Sequence, residues 1–206
     1  MMLEQKLHAF PSPIWRCRVP DDRITDLNST LMNKIMSYKG KPGTKVSKNK
    51  WYTPTRLQSE PEFAELCKYI LEASNAVLDD LHVKNRNLKI TGCWGNISSP
   101  GATHHKHSHP NNYLSGVYYL KSGEGSNTIT FHDPRPQIGL IRPSVSKPTI
   151  DNSETADVVI REGDIVLFPH WLHHSVAENT SDSERISIAF NVMFEDYVEN
   201  MSPPMW

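Results

Sequence analysis

Residues 104–121 read HHKHSHPNNYLSGVYYLK, so four closely spaced histidines lead directly into an apolar run rich in aromatic and β-branched side chains. Short apolar runs bounded by turn residues are typical of buried β-strands. Similar runs lie on both sides, separated by residues such as Gly, Pro, Asn and Ser. Several short strands at close spacing indicate a β-sandwich or barrel. The predicted strands are Leu88–Ile97, Leu114–Lys121, Thr128–His132, Val158–Arg161, Ile165–Phe168 and Arg185–Phe194.

The chain before residue 88 has a helical pattern. Asp21 and Asp22 can cap a segment in which apolar residues recur at spacings of three and four, and a second helix is predicted to begin near Pro61. Between them, residues 39–50 (KGKPGTKVSKNK) are predicted to form a flexible, basic loop. Helices followed by strands argue against a doubly wound α/β sheet, and neither GxGxxG nor GxxxxGK[ST] is present. The sequence therefore predicts a mainly β protein with N-terminal helices.

The composition narrows the class of protein. The chain has 206 residues, with 22 basic and 23 acidic side chains and a formal net charge of −1. This balance argues against nucleic-acid binding, which needs a basic excess. Three scattered cysteines without a CxxC pair favour a reducing, cytoplasmic location, and no apolar run reaches the roughly 18 residues of a membrane span. The apolar tail 201–206 leaves open whether it packs on the barrel or on a partner, including a second copy in a homo-oligomer.

Eight of the ten histidines lie between positions 104 and 174. Residues two apart on an extended chain share a face, so we expect His105, His107 and His109 to project together and His104 to point away. One histidine from residues 163–176 (GDIVLFPHWLHHSV) would complete a set of three ligands and leave positions open for water or substrate. The pattern predicts a metal-binding β-barrel.

Arg185 and Ser187 begin the last predicted strand, eleven residues after His174. The planar guanidinium of arginine matches a carboxylate, and a hydroxyl two residues later points to the same face. In a barrel these groups would lie deeper than the metal. We therefore expect a ligand with a carboxylate at one end and a chelating group at the other.

Together, HxH, a Gly-Asp turn, a distal His and RxS resemble the Fe(II)/2-oxoglutarate-dependent oxygenases. The segments HSHPNNYLSGVYYL, FHDPRP, GDIVLFPHWLHHSV and ERISIAFN are similar to a branch of that superfamily distantly akin to prolyl hydroxylases. The resemblance covers roughly residues 88–195. It implies a double-stranded β-helix, a jelly-roll or cupin-like barrel, at 88–195. A helical support region at 1–87 would complete a single domain spanning 1–206.

The resemblance further implies a dioxygenase that uses Fe(II), 2-oxoglutarate and O2. Such an enzyme would hydroxylate a peptide, amino acid or metabolite and release succinate and CO2. The implied iron ligands are His107, His109 and His174, and with Arg185 they are the predicted catalytic residues. His107 and His109 are preferred over His105 and His107 as the proximal pair, because Pro110 follows and the next strand begins soon after. The implied contacts to 2-oxoglutarate are Arg185, Ser187 and Tyr119 at the far carboxylate and Asn96 at the chelating end.

The proximal cluster departs from the superfamily at one position. Most members have HxD or HxE where this chain has His107-Ser-His109. Three imidazoles without a carboxylate would leave the iron more positive, so a three-His metalloenzyme that uses no 2-oxoglutarate stays open. Two further alternatives are a barrel that binds a small carboxylate without catalysis and a structural or assembly protein with a relic pocket. Asp133 is a weaker candidate for a carboxylate ligand.

Overall fold

The computed structural model describes residues 4–84 and 87–200, without the side chains of 198–200; the tail 201–206 lies outside them. The helices are α1 (Asp21–Ser37), α2 (Ala64–Asp80) and α3 (Glu195–Asn200), with short 3-10 helices at Leu57–Ser59, Pro61–Phe63 and Pro136–Gly139. The strands are β1 (Trp15–Arg18), β2 (Lys45–Ser47), β3 (Lys50–Tyr52), β4 (Leu88–Ser98), β5 (His104–His107), β6 (Leu114–Lys121), β7 (Thr128–His132), β8 (Thr155–Val159), β9 (Asp164–Pro169), β10 (His174–Val176) and β11 (Arg185–Phe194).

Two antiparallel sheets form the barrel. The larger has seven strands in the order β1-β9-β6-β11-β4-β3-β2, and the smaller has four in the order β5-β10-β7-β8. Between them lies an apolar cluster to which both sheets contribute, including Phe131 of β7 and Phe168 of β9. This arrangement confirms the predicted double-stranded β-helix.

The alternation of side chains along β11 separates the site from the main core. Ile186, Ile188 and Phe190 are buried in the core cluster that also contains the apolar stripes of α1 and α2. Arg185 and Ser187 alternate with them and therefore face the inside of the barrel. The helices thus cover the outer face of the seven-stranded sheet. None of the described helices has the length and apolar character needed to cross a membrane.

The region before residue 88 contributes strands as well as helices. The helices lie where the apolar periodicity predicts them, with Leu27, Leu31 and Ile35 of α1 buried. The predicted loop 39–50, however, contains β2 and the start of β3, and Trp15–Arg18 adds β1 at the opposite edge. The loop prediction was wrong because residues 45–50 carry little apolar pattern of their own. Backbone pairing holds these strands, since β2 pairs with β3 and β3 pairs with β4.

Gly116 of β6 is required by close packing. A Cβ built there would lie 2.7 Å from Cε2 of Phe190 and 2.8 Å from the backbone oxygen of Val166. Because the Val166 oxygen belongs to the neighbouring strand β9, it cannot rotate away. We expect Gly116→Ala to lower the free energy of unfolding by about 1–3 kcal/mol, measured by urea denaturation.

Gly123 offers a matched control, since a Cβ there meets nothing within 4 Å. Gly123→Ala should leave the unfolding midpoint nearly unchanged. Equal midpoints for the two variants would show that β6 can shift to accept the methyl group.

Candidate active site

Three histidines converge at one end of the four-stranded sheet. His107 ends β5 and His174 begins β10, and the two residues lie opposite each other in the antiparallel pairing. His109 follows two residues later, and its backbone N–H donates to the carbonyl of His170 at 3.0 Å. One ring nitrogen from each of the three histidines lies within 4.8 Å of the other two. This spacing allows the three side chains to hold one metal ion and leaves the remaining coordination positions to other ligands.

Backbone carbonyls fix the orientation of two of these rings. Nδ1 of His107 donates to the carbonyl of His105 at 2.8 Å, and Nδ1 of His174 donates to the carbonyl of Leu172 at 3.1 Å. Because a carbonyl can only accept, each Nδ1 carries the hydrogen and each Nε2 keeps its lone pair. This is the arrangement by which metal-binding histidines are oriented in proteins.

Burial also favours the neutral form of the rings. Burial, together with a smaller contribution from the adjacent His107, lowers the pKa of His174 to about 3 and the pKa of His109 to about 4. The ring of Phe168 lies 4.6 Å from that of His174, and Trp94 lies 5.8 Å from His109, centre to centre. Neutral imidazole is the form that binds a metal, so the cluster is preorganised as a set of nitrogen donors.

Within the described residues, no carboxylate joins the three-histidine cluster. The candidate Asp133 is held by Arg135 instead. One oxygen accepts the backbone N–H of Arg135 at 2.8 Å and its Nε at 3.0 Å, and the other accepts Nη2 at 2.6 Å. The donor set is therefore three neutral nitrogens.

Arg185 is the charged group deeper in the barrel. It is 5% exposed, and among the described residues no carboxylate forms an ion pair with it. Its Nε is buried without a hydrogen-bond partner, and so is the hydroxyl of Tyr119, over whose ring the guanidinium lies at 5.3 Å. Burial raises the pKa of Tyr119, although the guanidinium acts in the opposite direction. A buried guanidinium with unused donors is costly unless an anion pairs with it.

The remaining predicted residues surround Arg185 on the seven-stranded sheet. Ser187 of β11 lies opposite Asn96 of β4 and Tyr119 of β6, and all three are buried. The Oδ1 of Asn96 accepts a hydrogen bond from Nε1 of Trp94 at 3.2 Å. Tyr119 lies behind Arg185 rather than on the cavity wall. A cavity of about 210 Å³ connects the three-histidine cluster with Arg185. It is lined by the three histidines and by Arg185, Ser187 and Asn96.

The part of the chain that forms most of this cavity matches a known protein family. Residues 92–191, from β4 to β11, match the family model described as "Putative 2OG-Fe(II) oxygenase". The matched residues, which include the three histidines and Arg185, belong to the 2OG-Fe(II) oxygenases. The family expected from the sequence motifs is thereby confirmed. No curated protein matches the sequence.

Solved structures share the fold of this oxygenase at low sequence identity. HygX from Streptomyces hygroscopicus, with nickel and 2-oxoglutarate bound, is 11% identical with a TM-score of 0.61, over 89% of this chain and 84% of its own. The epimerase SnoN from nogalamycin biosynthesis is 13% identical with a TM-score of 0.66, over 89% and 79%. A prolyl-4-hydroxylase from Pseudomonas putida is 13% identical with a TM-score of 0.60, over 89% and 94%. At these identities the likeness concerns the fold alone.

The oxygenase cavity also contains a histidine that the sequence pattern places elsewhere. His107 pairs with His174 but His104 pairs with Val176, so three residue steps on β5 match two on β10. This irregularity turns His104 into the cavity, while His105 is exposed. The expectation was therefore wrong for both residues: His104 does not point away, and His105 does not project together with His107 and His109. Burial, with smaller contributions from the charges of Lys50 and Arg185, lowers the pKa of His104 to about 3.

Two further cavity residues, Ser98 and Tyr52, have no signal in the sequence. Ser98 ends β4, where it pairs with both Arg185 and Lys50, and Tyr52 lies opposite Asn96. Tyr52 could not be found because its strand was predicted to be a loop in part. These residues complete the wall of the oxygenase cavity around Arg185.

Proposed function

We propose that this oxygenase binds Fe(II) through His107, His109 and His174 and anchors the far carboxylate of 2-oxoglutarate on Arg185 and Ser187. One observation carries the proposal. A single cavity contains both a cluster of three histidines and a buried guanidinium that lacks an acidic partner among the described residues. A ligand with a chelating end and a distant carboxylate satisfies both groups at once.

The residues fit a divalent iron ion. Their ring nitrogens are close enough for shared coordination, and the carbonyls of His105 and Leu172 leave the Nε2 lone pairs of His107 and His174 available. Imidazole is a suitable ligand for Fe(II). With no carboxylate among the ligands, the anionic keto-acid end of the cosubstrate would supply the negative charge next to the ion.

The residues also fit the rest of the cosubstrate. The Arg185 fork can donate two parallel hydrogen bonds to a carboxylate, and Ser187 offers a third donor on the same face of β11. We assign Tyr119 to the support of Arg185, because its ring lies beneath the guanidinium. Asn96 lies further along the wall, and we assign it to the keto-acid end.

When bound, Fe(II) and 2-oxoglutarate would supply the oxidative chemistry: one atom of O2 would enter succinate as CO2 is released, and the other would be transferred to a substrate. The chain's own contribution is to fix both ends of the cosubstrate and to exclude water. Phe131, Phe168 and Trp94 enclose the histidine rings and keep the site apolar. We propose hydroxylation as the outcome.

Succinate formation tests this function without knowledge of the substrate. Protein purified without metal is incubated with Fe(II), 2-oxoglutarate and O2, and succinate is measured. We expect slow succinate formation, and we expect omission of any one component to abolish it. Under anaerobic conditions, Fe(II) and 2-oxoglutarate together should produce a visible charge-transfer band.

His174→Ala and His173→Ala provide a matched pair for this assay, because the first residue is buried in the cluster and the second is exposed. Only His174→Ala should abolish both signals. Metal binding without any effect of 2-oxoglutarate would favour the three-His enzyme that uses no cosubstrate and would contradict our proposal.

A further inference from the structure

We infer that His104 is a further cosubstrate-binding residue, which donates a hydrogen bond to the far carboxylate of 2-oxoglutarate beside Arg185. The inference rests on the proposed function and extends it to a residue outside the family motifs. The irregular pairing of β5 with β10 places this side chain in the cavity.

His104 lies between the three-histidine cluster and the residues around Arg185. Its ring centre is 6.5 Å from that of His107, and its Nε2 is 3.5 Å from the Oγ of Ser98. Ser98 is the register partner of Arg185 across β4 and β11, so the two side chains leave the sheet on the same face and next to each other. His104 therefore reaches from the four-stranded sheet to the residues that flank the guanidinium.

The ring has unused hydrogen-bonding capacity. At 3.5 Å, the contact with Ser98 is at the outer limit of a hydrogen bond and contributes little. Tyr52 packs against the ring edge-on at 6.0 Å and holds its orientation. A polar ring kept in place by weak contacts inside a cavity is well suited to bind a polar ligand there.

The carboxylate needs more donors than Arg185 supplies. A carboxylate has about four acceptor positions, and a bidentate arginine fills two of them. Ser187 on β11 can fill a third. His104 approaches from the opposite sheet, so it can reach a position that donors on β11 cannot.

A second positive charge, outside the lining of the cavity, lies near His104. Nζ of Lys50 donates to the carbonyl of Thr103 at 2.6 Å and lies 5.9 Å from the ring centre of Tyr52. Its charge acts on His104 together with that of Arg185. The surroundings of His104 therefore favour an anionic group, as the far carboxylate requires.

The test compares two ligands that differ only at the far end. 2-Oxopentanoate has the same five-carbon keto-acid chain as 2-oxoglutarate but lacks the second carboxylate. Dissociation constants for both are measured anaerobically on the Fe(II)-loaded protein from the charge-transfer band, and Ni(II) affinity is measured separately. The decisive quantity is the ratio of the two dissociation constants.

We expect His104→Leu, which removes both ring nitrogens, to weaken 2-oxoglutarate binding roughly tenfold, as for a lost hydrogen bond to a charged group. Binding of 2-oxopentanoate should change less than about twofold, because its methyl group makes no such bond. His104→Gln restores a donor and should recover most of the ratio. His105→Leu, at the exposed neighbouring position, is the matched control and should resemble the wild type.

The outcomes distinguish a failure of the role assigned to His104 from a failure of the proposed function. An unchanged ratio in His104→Leu, whether both ligands weaken equally or neither does, would overturn the role of His104 while leaving the proposed function intact. If the wild-type protein binds Ni(II) but shows no response to 2-oxoglutarate, the proposed function itself fails. Unchanged Ni(II) affinity in all variants shows that the histidine cluster has kept its geometry.

Discussion

Replacement of His174 by alanine is expected to lower the affinity for a divalent metal ion more than about 100-fold, since even the loss of an outer hydrogen bond to a metal ligand typically costs about 10- to 100-fold. His174 supplies the ligand from β10, and its ring lies 4.3 Å from His107 and 5.2 Å from His109, centre to centre. Without it, two nitrogens from one short segment remain. Titration with Ni(II), followed by thermal unfolding, measures the effect, because an ion that binds only the folded state raises the melting temperature more as its concentration exceeds its dissociation constant.

His173→Ala is the control for this substitution. The side chain is adjacent in sequence but exposed, so its removal should leave the Ni(II)-induced rise in melting temperature intact. A second pair of variants makes the same comparison between a cluster histidine and an exposed neighbour: His107→Ala should weaken Ni(II) binding, and His105→Ala should not. A ligand set centred on His105 would reverse the second pair, and retention of metal binding in His174→Ala would remove this histidine from the site.

Replacement of Arg185 by glutamine is expected to raise the dissociation constant of 2-oxoglutarate at least roughly 30-fold, because loss of one member of a buried charge pair costs about 2 kcal/mol or more. Glutamine keeps much of the volume and one donor group but removes the charge. Metal affinity should change little, since Arg185 makes no contact with the three-histidine cluster. The charge-transfer band reports cosubstrate binding, and the Ni(II) titration reports metal binding.

Arg23→Gln provides the comparison on the helical side of the molecule. Arg23 pairs with Glu65 at 3.0 Å, and both lie far from the cavity, on α1 and α2. This variant should bind 2-oxoglutarate normally. A normal cosubstrate affinity in Arg185→Gln would mean that another group holds the far carboxylate.

The interior strands could be predicted from the sequence because they are apolar runs rich in aromatic and β-branched side chains. Leu114–Lys121, Thr128–His132 and Arg185–Phe194 have the same bounds in the structure as in the prediction. The edge strands could not be found in this way. Every residue of Lys45–Ser47 is exposed, so its strand conformation depends on backbone pairing with β3 and not on an apolar pattern.

The metal cluster was predictable in part because two of its members follow a simple rule. His107 and His109 are two residues apart, and an extended chain brings such residues to one face. His104 breaks the rule, since its direction depends on an extra residue in the pairing of β5 with β10. Pairing irregularities between strands distant in sequence leave no local signal. The lack of an acidic partner for Arg185 among the residues that the structure describes likewise emerges only from the folded arrangement.

The two groups proposed to bind the cosubstrate belong to different sheets. His107 and His174 lie on the four-stranded sheet, whereas Arg185 and Ser187 lie on the seven-stranded sheet. Facing sheets pack about 10 Å apart, and bulky side chains between them set that spacing. Phe131 and Phe168, with ring centres 5.0 Å apart, are such spacers. Residues that touch neither end of the dicarboxylate would therefore determine its preferred carbon-chain length, so exchanging five-carbon for six-carbon oxo acids is a matter of repacking the barrel interior.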